Sequence, residues 1–181
     1  MPETGTRYST GIASLRHVTQ VLFGVEHTHQ RDLRHSATSV AIGALVGAPF
    51  ISTVPDSHGW EILRAPELRL GDDIVVPDVV GWRRDRTDLP PFGEQWASIA
   101  PDWVCEVLSP ETEQIDRIDK LKIYMREQVR HVWLADPRAR VLEVFRLDDG
   151  AWTPIAALSD GGAPIEPFAA NELDVGLFWR F

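Results

Sequence analysis

The chain is short of several residue types, and each shortage narrows what it can be. Only one cysteine, Cys105, occurs in 181 residues. No internal disulfide can form, and a reducing cytoplasm is the expected compartment. No apolar stretch approaches the ~18 residues of a membrane span, so no membrane partner is expected. The opening MPETGTRYSTG has neither the basic start nor the apolar core of a secretory signal. A glycine-rich phosphate loop is missing, which leaves no support for a nucleotide cofactor. Internal repeats and low-complexity tracts are missing too. Lysine is scarcest for its class: sixteen arginines accompany only Lys120 and Lys122.

What is present is an ordinary globular composition, 44% hydrophobic and 25% charged. The length predicts one domain over 1–181 that folds without a staple, with a helical part over 1–48 and a sheet-centred core over 60–181. The net charge of −9 argues against simple nucleic-acid binding, since phosphate contacts need a local excess of Lys and Arg. The acid is unevenly spread, however. From Leu147 onward six acids face Arg180 alone, whereas Asp78 to Arg146 holds thirteen acids and eleven bases. Charge alone does not exclude a nucleic-acid substrate.

IASLRHVTQVLFGV places Ile12, Leu15, Val18, Leu22 and Val25 at helical spacing and predicts a helix. RHSATSVAIGALVG predicts a second helix, and Pro49, Pro55, Ser57 and Gly59 an irregular connection. WEILRAPELRL and IVVPDVVGW flank Gly71-Asp72-Asp73 as antiparallel strands around a turn. Arg83 to Pro101 reads as a loop. WVCEVL has the apolar content of a strand covered on both faces. A helix follows, then strands in HVWLAD and VLEVFRL around Pro137, then WTPIAAL and ELDVGLFW. The order implies α/β (α+β), with one central mixed sheet.

Two of these strands carry an acid where apolar residues are expected. A buried carboxylate needs a partner, a metal or a raised pKa. For Glu106 an ion pair with an arginine would suffice. Asp78, placed alike in IVVPDVVGW, opens a second reading: two carboxylates aimed at one spot suit Mg²⁺ or Mn²⁺, with water and substrate phosphate completing the shell. In IDRIDKLKIYM, Asp116, Lys120 and Tyr124 are four apart and share a helical face. If Asp116 caps this helix, Lys120 lies in its first turn, near the strand bearing Glu106. An exposed pair with Asp116 would account for Lys120. So would a need for an amine that arginine cannot supply.

VVPDVV, DWVCEVLSPET, DRIDKLKIY and VWLADP together closely resemble the Uma2-like proteins (the domain once labelled DUF820), predicted endonucleases of the PD-(D/E)XK superfamily. The likeness runs from about Trp60 to the C-terminus. It implies a restriction-endonuclease-like core, a central mixed β-sheet flanked by helices, and a divalent-metal-dependent endodeoxyribonuclease. Asp78 matches the family's "PD" aspartate and Glu106 the acid of its second motif, both as metal ligands. Leu108 stands where that motif has its lysine. Uma2-like sequences commonly carry the lysine on the following helix, and here that position is Lys120, which would orient or deprotonate water. The implied product is a 5′-phosphate end.

Glu67, His35 and Tyr124 are accessory candidates, each with a structural alternative: a solvent-facing acid, a helix-packing ring and a core ring. Arg83, Arg84 and Arg86 form the best local basic cluster for DNA phosphates, or a solvated loop edge. Trp82 and Trp96 would stack on bases or pack in the core. His27 and His29 alternate as strand residues would and could offer both rings to a transition metal, but they lie in what reads as a connection between helices, with no Cys or third His at metal spacing. Cys105 should face away from Glu106 as a small core residue. Three functions compete. DNA hydrolysis leads, a homodimer then pairing two sites to cut both strands. A catalytically inactive binding or assembly module of the same fold is the runner-up, and an acid–base pair acting on a glycoside is the third.

Overall fold

A computed structural model describes residues 17–48, 59–86, 88, 90 and 96–180. The chain begins with a hairpin, β1 (His17–Leu22) and β2 (Val25–Gln30), rather than the expected helix; Ile12 and Leu15 lie outside the described residues. Phe23 and Gly24 both have positive φ, the requirement of a tight two-residue hairpin turn. Val18, Gln20 and Leu22 are buried, so the strand alternates with period two. Gln20 disguises this, because a polar residue fills an inward position. Its Oε1 accepts the Val76 backbone N–H at 2.9 Å.

The second expected helix is present as α1 (Leu33–Gly47), capped by Asp32, whose side chain accepts from the His35 amide at 2.7 Å. β3 (Trp60–Arg64), β4 (Glu67–Leu70), β5 (Asp73–Val75) and β6 (Val79–Arg83) follow, with the turn at Gly71-Asp72 as expected. Ala65-Pro66 and Pro77-Asp78 interrupt both arms of this ribbon at one level. Proline removes a ladder donor there, and the Ala65 amide instead donates to the Asp78 carbonyl at 3.0 Å. The ribbon thus turns a corner, β3 and β6 entering one sheet and β4 and β5 another.

After the short β7 (Trp96–Ala97) come β8 (Trp103–Val107), a π-helical turn over Ile115–Lys120 continuing into α2 (Leu121–Arg126), β9 (His131–Asp136), β10 (Val141–Asp148), β11 (Ala151–Leu158), β12 (Gly162–Pro164), β13 (Glu172–Asp174) and a 3₁₀ turn over Val175–Trp179. The main sheet is mixed and six-stranded, in the order β11-β10-β9-β8-β6-β3, with β8 and β9 parallel. The expected single sheet is joined by a five-stranded one, β2-β1-β5-β4-β7, and by the β12-β13 ribbon.

β8 is buried throughout, and its alternation divides two cores. Trp103, Cys105 and Val107 join Ile42 and Val46 of α1 with Phe168, Phe178 and Trp179 from the C-terminal segment. Val104 and Leu108 face the other way, toward Leu22, Leu68, Leu70 and Val75 of the second sheet and Ile123 and Tyr124 of α2. Glu106, between them in the alternation, points into that second layer. Cys105 faces the first core as expected, and burial pushes its thiol pKa well up. No helix among the described residues is long and apolar enough to cross a membrane.

Gly81 has no room for a side chain. An added Cβ would lie 2.8 Å from Ile62 Cδ1, 3.0 Å from the Trp60 ring and 3.3 Å from the Trp103 ring. The isoleucine tip can move, but the indoles are wedged together, Trp103 standing edge-on to Trp133 at 5.0 Å and to Phe168 at 4.9 Å. Gly81→Ala therefore destabilises the fold by about 1–3 kcal/mol, read as a lower urea midpoint at unchanged slope.

Candidate functional site

Asp78 stands at the corner before β6. The β6–β8 register pairs Val79 with Cys105, so one further step sets Asp78 opposite Glu106, with both side chains on the same sheet face. Both are buried, at 3% and 1% exposure. The helix that faces them starts in an S-P-E-T turn, where Ser109 Oγ lies 3.0 Å from Thr112 Oγ1. Asp116 does not cap it. It sits inside the π-helical turn, whose extra width turns Asp116 and Lys120 inward together. Such turns recur at functional sites.

Four elements thus deliver one buried ionic cluster. Lys120 Nζ lies 2.9 Å from Asp116 Oδ1 and 3.0 Å from Glu106 Oε2. Tyr124 donates its hydroxyl to Glu106 Oε1. Asp78 Oδ1 meets Arg31 at 2.8 Å and His35 Nε2 at 2.7 Å, while its Oδ2 accepts the Val107 amide at 2.8 Å. Lys120 is therefore not the exposed partner of Asp116, and Glu106 pairs with lysine rather than arginine.

Burial is the largest influence on Glu106, Asp78, Lys120, Tyr124 and the nearby His29, but its outcome differs with the neighbours. Glu106 is pushed up to about 8: desolvation outweighs the pull of Lys120, and Asp116 and Asp78 add repulsion. For Asp78 the cost of burial is overcome by His35 and Arg31, which hold its pKa well below the ordinary value. Burial works against the charged form of Lys120, yet Asp116, Glu106 and Asp78 raise its pKa above normal. It is a fixed cation. Tyr124 is raised by burial and by Glu106, so its phenol stays a donor. His29, on β2, is lowered to about 4 by burial and by Lys120, leaving a neutral ring beside the cluster.

Most of the unsatisfied polar atoms come from one segment. Among the described residues, Trp103 Nε1 in the first core and five others, Gln20 Nε2, His29 Nδ1, Arg31 Nε, His35 Nδ1 and Thr38 Oγ1, are buried without a hydrogen-bond partner. Native interiors leave few such atoms, and each asks for water, an ion or a ligand. All five come from β1, β2, the residue after it or α1, the segment that supplies Arg31 and His35.

No group of three or more His, Cys, Asp or Glu side chains among the described residues is arranged as a self-contained metal cage. A magnesium-type site needs less: one or two carboxylates, with water and phosphate for the rest. A carboxylate oxygen carries two lone pairs. Asp78 Oδ2 and both Glu106 oxygens each accept one protein donor, which leaves one lone pair apiece. Once Glu106 is ionised the donor set is hard, anionic and paired on one face, and it fits a divalent cation.

The other candidates are placed elsewhere. Glu67, on β4, pairs with Arg69 at 3.0 Å on a half-exposed surface, outside the cluster. Arg83, Arg84 and Arg86 follow the far end of β6 and are tied to Asp85, Glu61 and Asp88 respectively, Arg86 also to Asp102 at 3.2 Å. They do not border Asp78 and Glu106. Trp82 is buried, and Trp96 lies under Arg69, 3.8 Å from guanidinium to ring. Leu108 is buried among apolar side chains two residues past Glu106, so the usual motif lysine has no counterpart on β8. Arg31 and Asp116 belong to the cluster without having been site candidates in the sequence, and His29, weighed there with His27 for a metal, lies beside it. For Asp116 the four-residue step to Lys120 was the available signal.

A family described as "Uma2: Putative restriction endonuclease" matches residues 34–176. A search of curated proteins found no match. Among solved structures, a protein from Anabaena variabilis titled a "putative nuclease belonging to DUF820" superposes with a TM-score of 0.72 at 20% identity, over 89% of each chain. It shares the fold.

Proposed function

We propose that this chain, which belongs to the Uma2 family of restriction-endonuclease-like proteins, hydrolyses DNA phosphodiester bonds in the cytoplasm with a divalent cation held by Asp78 and Glu106. The observation that carries this reading is the meeting of those two buried carboxylates with Lys120 on one sheet face, with the unpaired Arg31 Nε and His35 Nδ1 on the residues that hold Asp78. Mg²⁺ or Mn²⁺ bound there would lower the pKa of water and offset phosphate charge. Asp78, ionised by its partners, and Glu106, once deprotonated, supply the oxygen ligands.

Lys120 cannot be the base, because two carboxylates keep it protonated. It orients water and stabilises negative charge on the phosphate, as a fixed cation in a dry site does well. The His29 ring beside the cluster is neutral with Nδ1 unused, and its lowered pKa makes it a weak proton acceptor. His35 and Arg31 hold Asp78 in place, and Tyr124 does so for Glu106. A homodimer would set two such sites on opposite strands.

Cleavage of plasmid and single-stranded DNA in Mg²⁺ and Mn²⁺ tests the reading, with Asp78→Asn beside wild type. Metal-dependent nicking by the wild type and none by the variant is expected. A second reading, an inactive binding module of the same fold, is favoured by the protein donors already on every oxygen of Asp78 and Glu106. An absence of both nicking and calorimetric Mg²⁺ or Mn²⁺ binding would select it.

A further inference from the structure

A small basic pocket opens beyond the C-terminal end of β9, lined by Arg34, Thr38, Pro137, Arg138, Arg140 and Trp179. It lies at the end of the sheet where Glu106 stands, since β8 and β9 run parallel with Val107 beside Ala135. Thr38 is one helical turn along α1 from His35, which holds Asp78. The pocket therefore adjoins the carboxylate site without sharing a side chain with it.

Three features point to its ligand. First, most arginines of this acidic chain are spent on neighbouring acids, but Arg34 and Arg140 make no ion pair among the described residues, and Arg138 is steadied by Glu113 at 2.8 Å and by Asp136. Second, Thr38 is 0% exposed, yet its Oγ1 has no hydrogen-bond partner. A hydroxyl in that state is a donor awaiting an acceptor. Third, Arg140 holds a φ of 55°, a conformation glycine or asparagine adopts more readily. The turn nevertheless keeps an arginine there, and Asp136 Oδ1 rigidifies it by accepting the Arg138 and Ala139 amides at 2.8 and 3.1 Å. The volume, about 150 Å³, is below the ~300 Å³ of a typical organic-ligand site. A tetrahedral oxyanion fits; a nucleoside does not.

We propose that this pocket binds one phosphate group, that of a DNA phosphodiester flanking the scissile bond. Arg34 and Arg140 supply the charge, and Thr38 Oγ1 donates a hydrogen bond from the floor. The proposal rests on the nuclease reading for the source of the phosphate, but not for the pocket itself. It assigns to this acidic chain the local positive surface that net charge appeared to deny it, and it moves the phosphate contacts from Arg83, Arg84 and Arg86 to a different loop.

The test compares wild type with R34Q/R140Q and with Thr38→Val. Binding of a fluorescent DNA duplex in Ca²⁺ is measured across a salt series, and inorganic phosphate binding is followed by calorimetry and thermal shift. The arginine pair should weaken DNA binding about tenfold or more and reduce the slope of log affinity against log salt by about 1, one phosphate's share. Thr38→Val should raise the melting temperature of the free chain, by removing an unsatisfied hydroxyl, while weakening inorganic phosphate binding. An unchanged salt slope in R34Q/R140Q, or phosphate binding by Thr38→Val equal to wild type, overturns the proposal. If wild type ignores DNA but binds inorganic phosphate, and R34Q/R140Q does not, the pocket stands as a site for free phosphate and the nuclease reading fails. If wild type binds neither, the pocket proposal falls.

Discussion

Lys120→Met lowers the unfolding free energy by about 3–5 kcal/mol, and adding Asp116→Asn restores most of the loss. The side chains of Lys120, Asp116 and Glu106 are all 3% exposed or less, so no water can take over for a missing partner. Methionine nearly matches lysine in length and leaves no large cavity; what it removes is the charge. Glu106 can respond by holding its proton, as its raised pKa already favours. Asp116 is left as a buried carboxylate whose ammonium partner is gone. Converting it to asparagine removes that anion while keeping its shape. Urea denaturation of the wild type, the single variant and the double variant measures both steps. A single variant within about 1 kcal/mol of wild type, or a double variant no better than the single, would show that the cluster is not the fixed ionic unit described here. The stable double variant also isolates the role of the ammonium. Loss of DNA cleavage in a chain that is folded and has kept Asp78 and Glu106 assigns Lys120 to the chemistry, whereas retained cleavage makes it structural.

The centre of this site was legible because it violates a pattern. Acids inside IVVPDVV and WVCEVL contradict the apolar rule for covered strands, and lysine is conspicuous in a chain that otherwise uses arginine. The structure sets those residues together. His35 and Tyr124, named on weaker grounds, also reach the cluster, one on Asp78 and one on Glu106. Arg31 and His29 were hidden by a local coincidence. Their hairpin reads as a helix because Gln20 occupies an inward strand position, which leaves the apolar residues at spacings a helix would also give. The hairpin turn itself, Phe-Gly, lacks the usual Asn-Gly or Asp-Gly signal. The arginines after β6 illustrate a different limit. Adjacent in sequence to the Asp78 strand, they seemed adjacent to Asp78. A strand advances ~3.3 Å per residue, however, and five residues carry Arg83 to the opposite end of the strand. Proximity along a strand is distance across a protein. The basic pocket was unreadable for the converse reason: Arg34 and Arg140 are far apart in sequence and meet only because α1 packs over the end at which β9 turns into β10.

Between about pH 5 and about pH 9 the stability of the E106Q chain should rise relative to wild type by roughly 4 kcal/mol. Glu106 has an ordinary pKa of 4.5 and a folded value of about 8. Its protonated form is thus favoured by the fold. The stability this contributes is fully present below about pH 4.5 and is lost as pH rises through 8, where the folded chain must carry a buried carboxylate. Glutamine has the shape of the protonated acid, with nothing to ionise, so the variant escapes that loss. Asp78 works in the opposite sense: its depressed pKa stabilises the fold above pH 3.8 and ceases to as pH falls through its folded value. Being common to both chains, that contribution cancels in the comparison. Paired urea titrations at the two pH values give the result, and a difference independent of pH would mean that Glu106 is ionised throughout. Adding Mg²⁺ then connects the titration to function. A cation that binds the ionised carboxylate stabilises the folded state only where Glu106 has lost its proton. If Asp78 and Glu106 are metal ligands, Mg²⁺ should stabilise the wild type at high pH much more than at low pH, and should do so far less for E106Q. Equal stabilisation of the two chains would place any bound ion away from Glu106, and the carboxylate would then be a structural partner of Lys120 and Tyr124 alone.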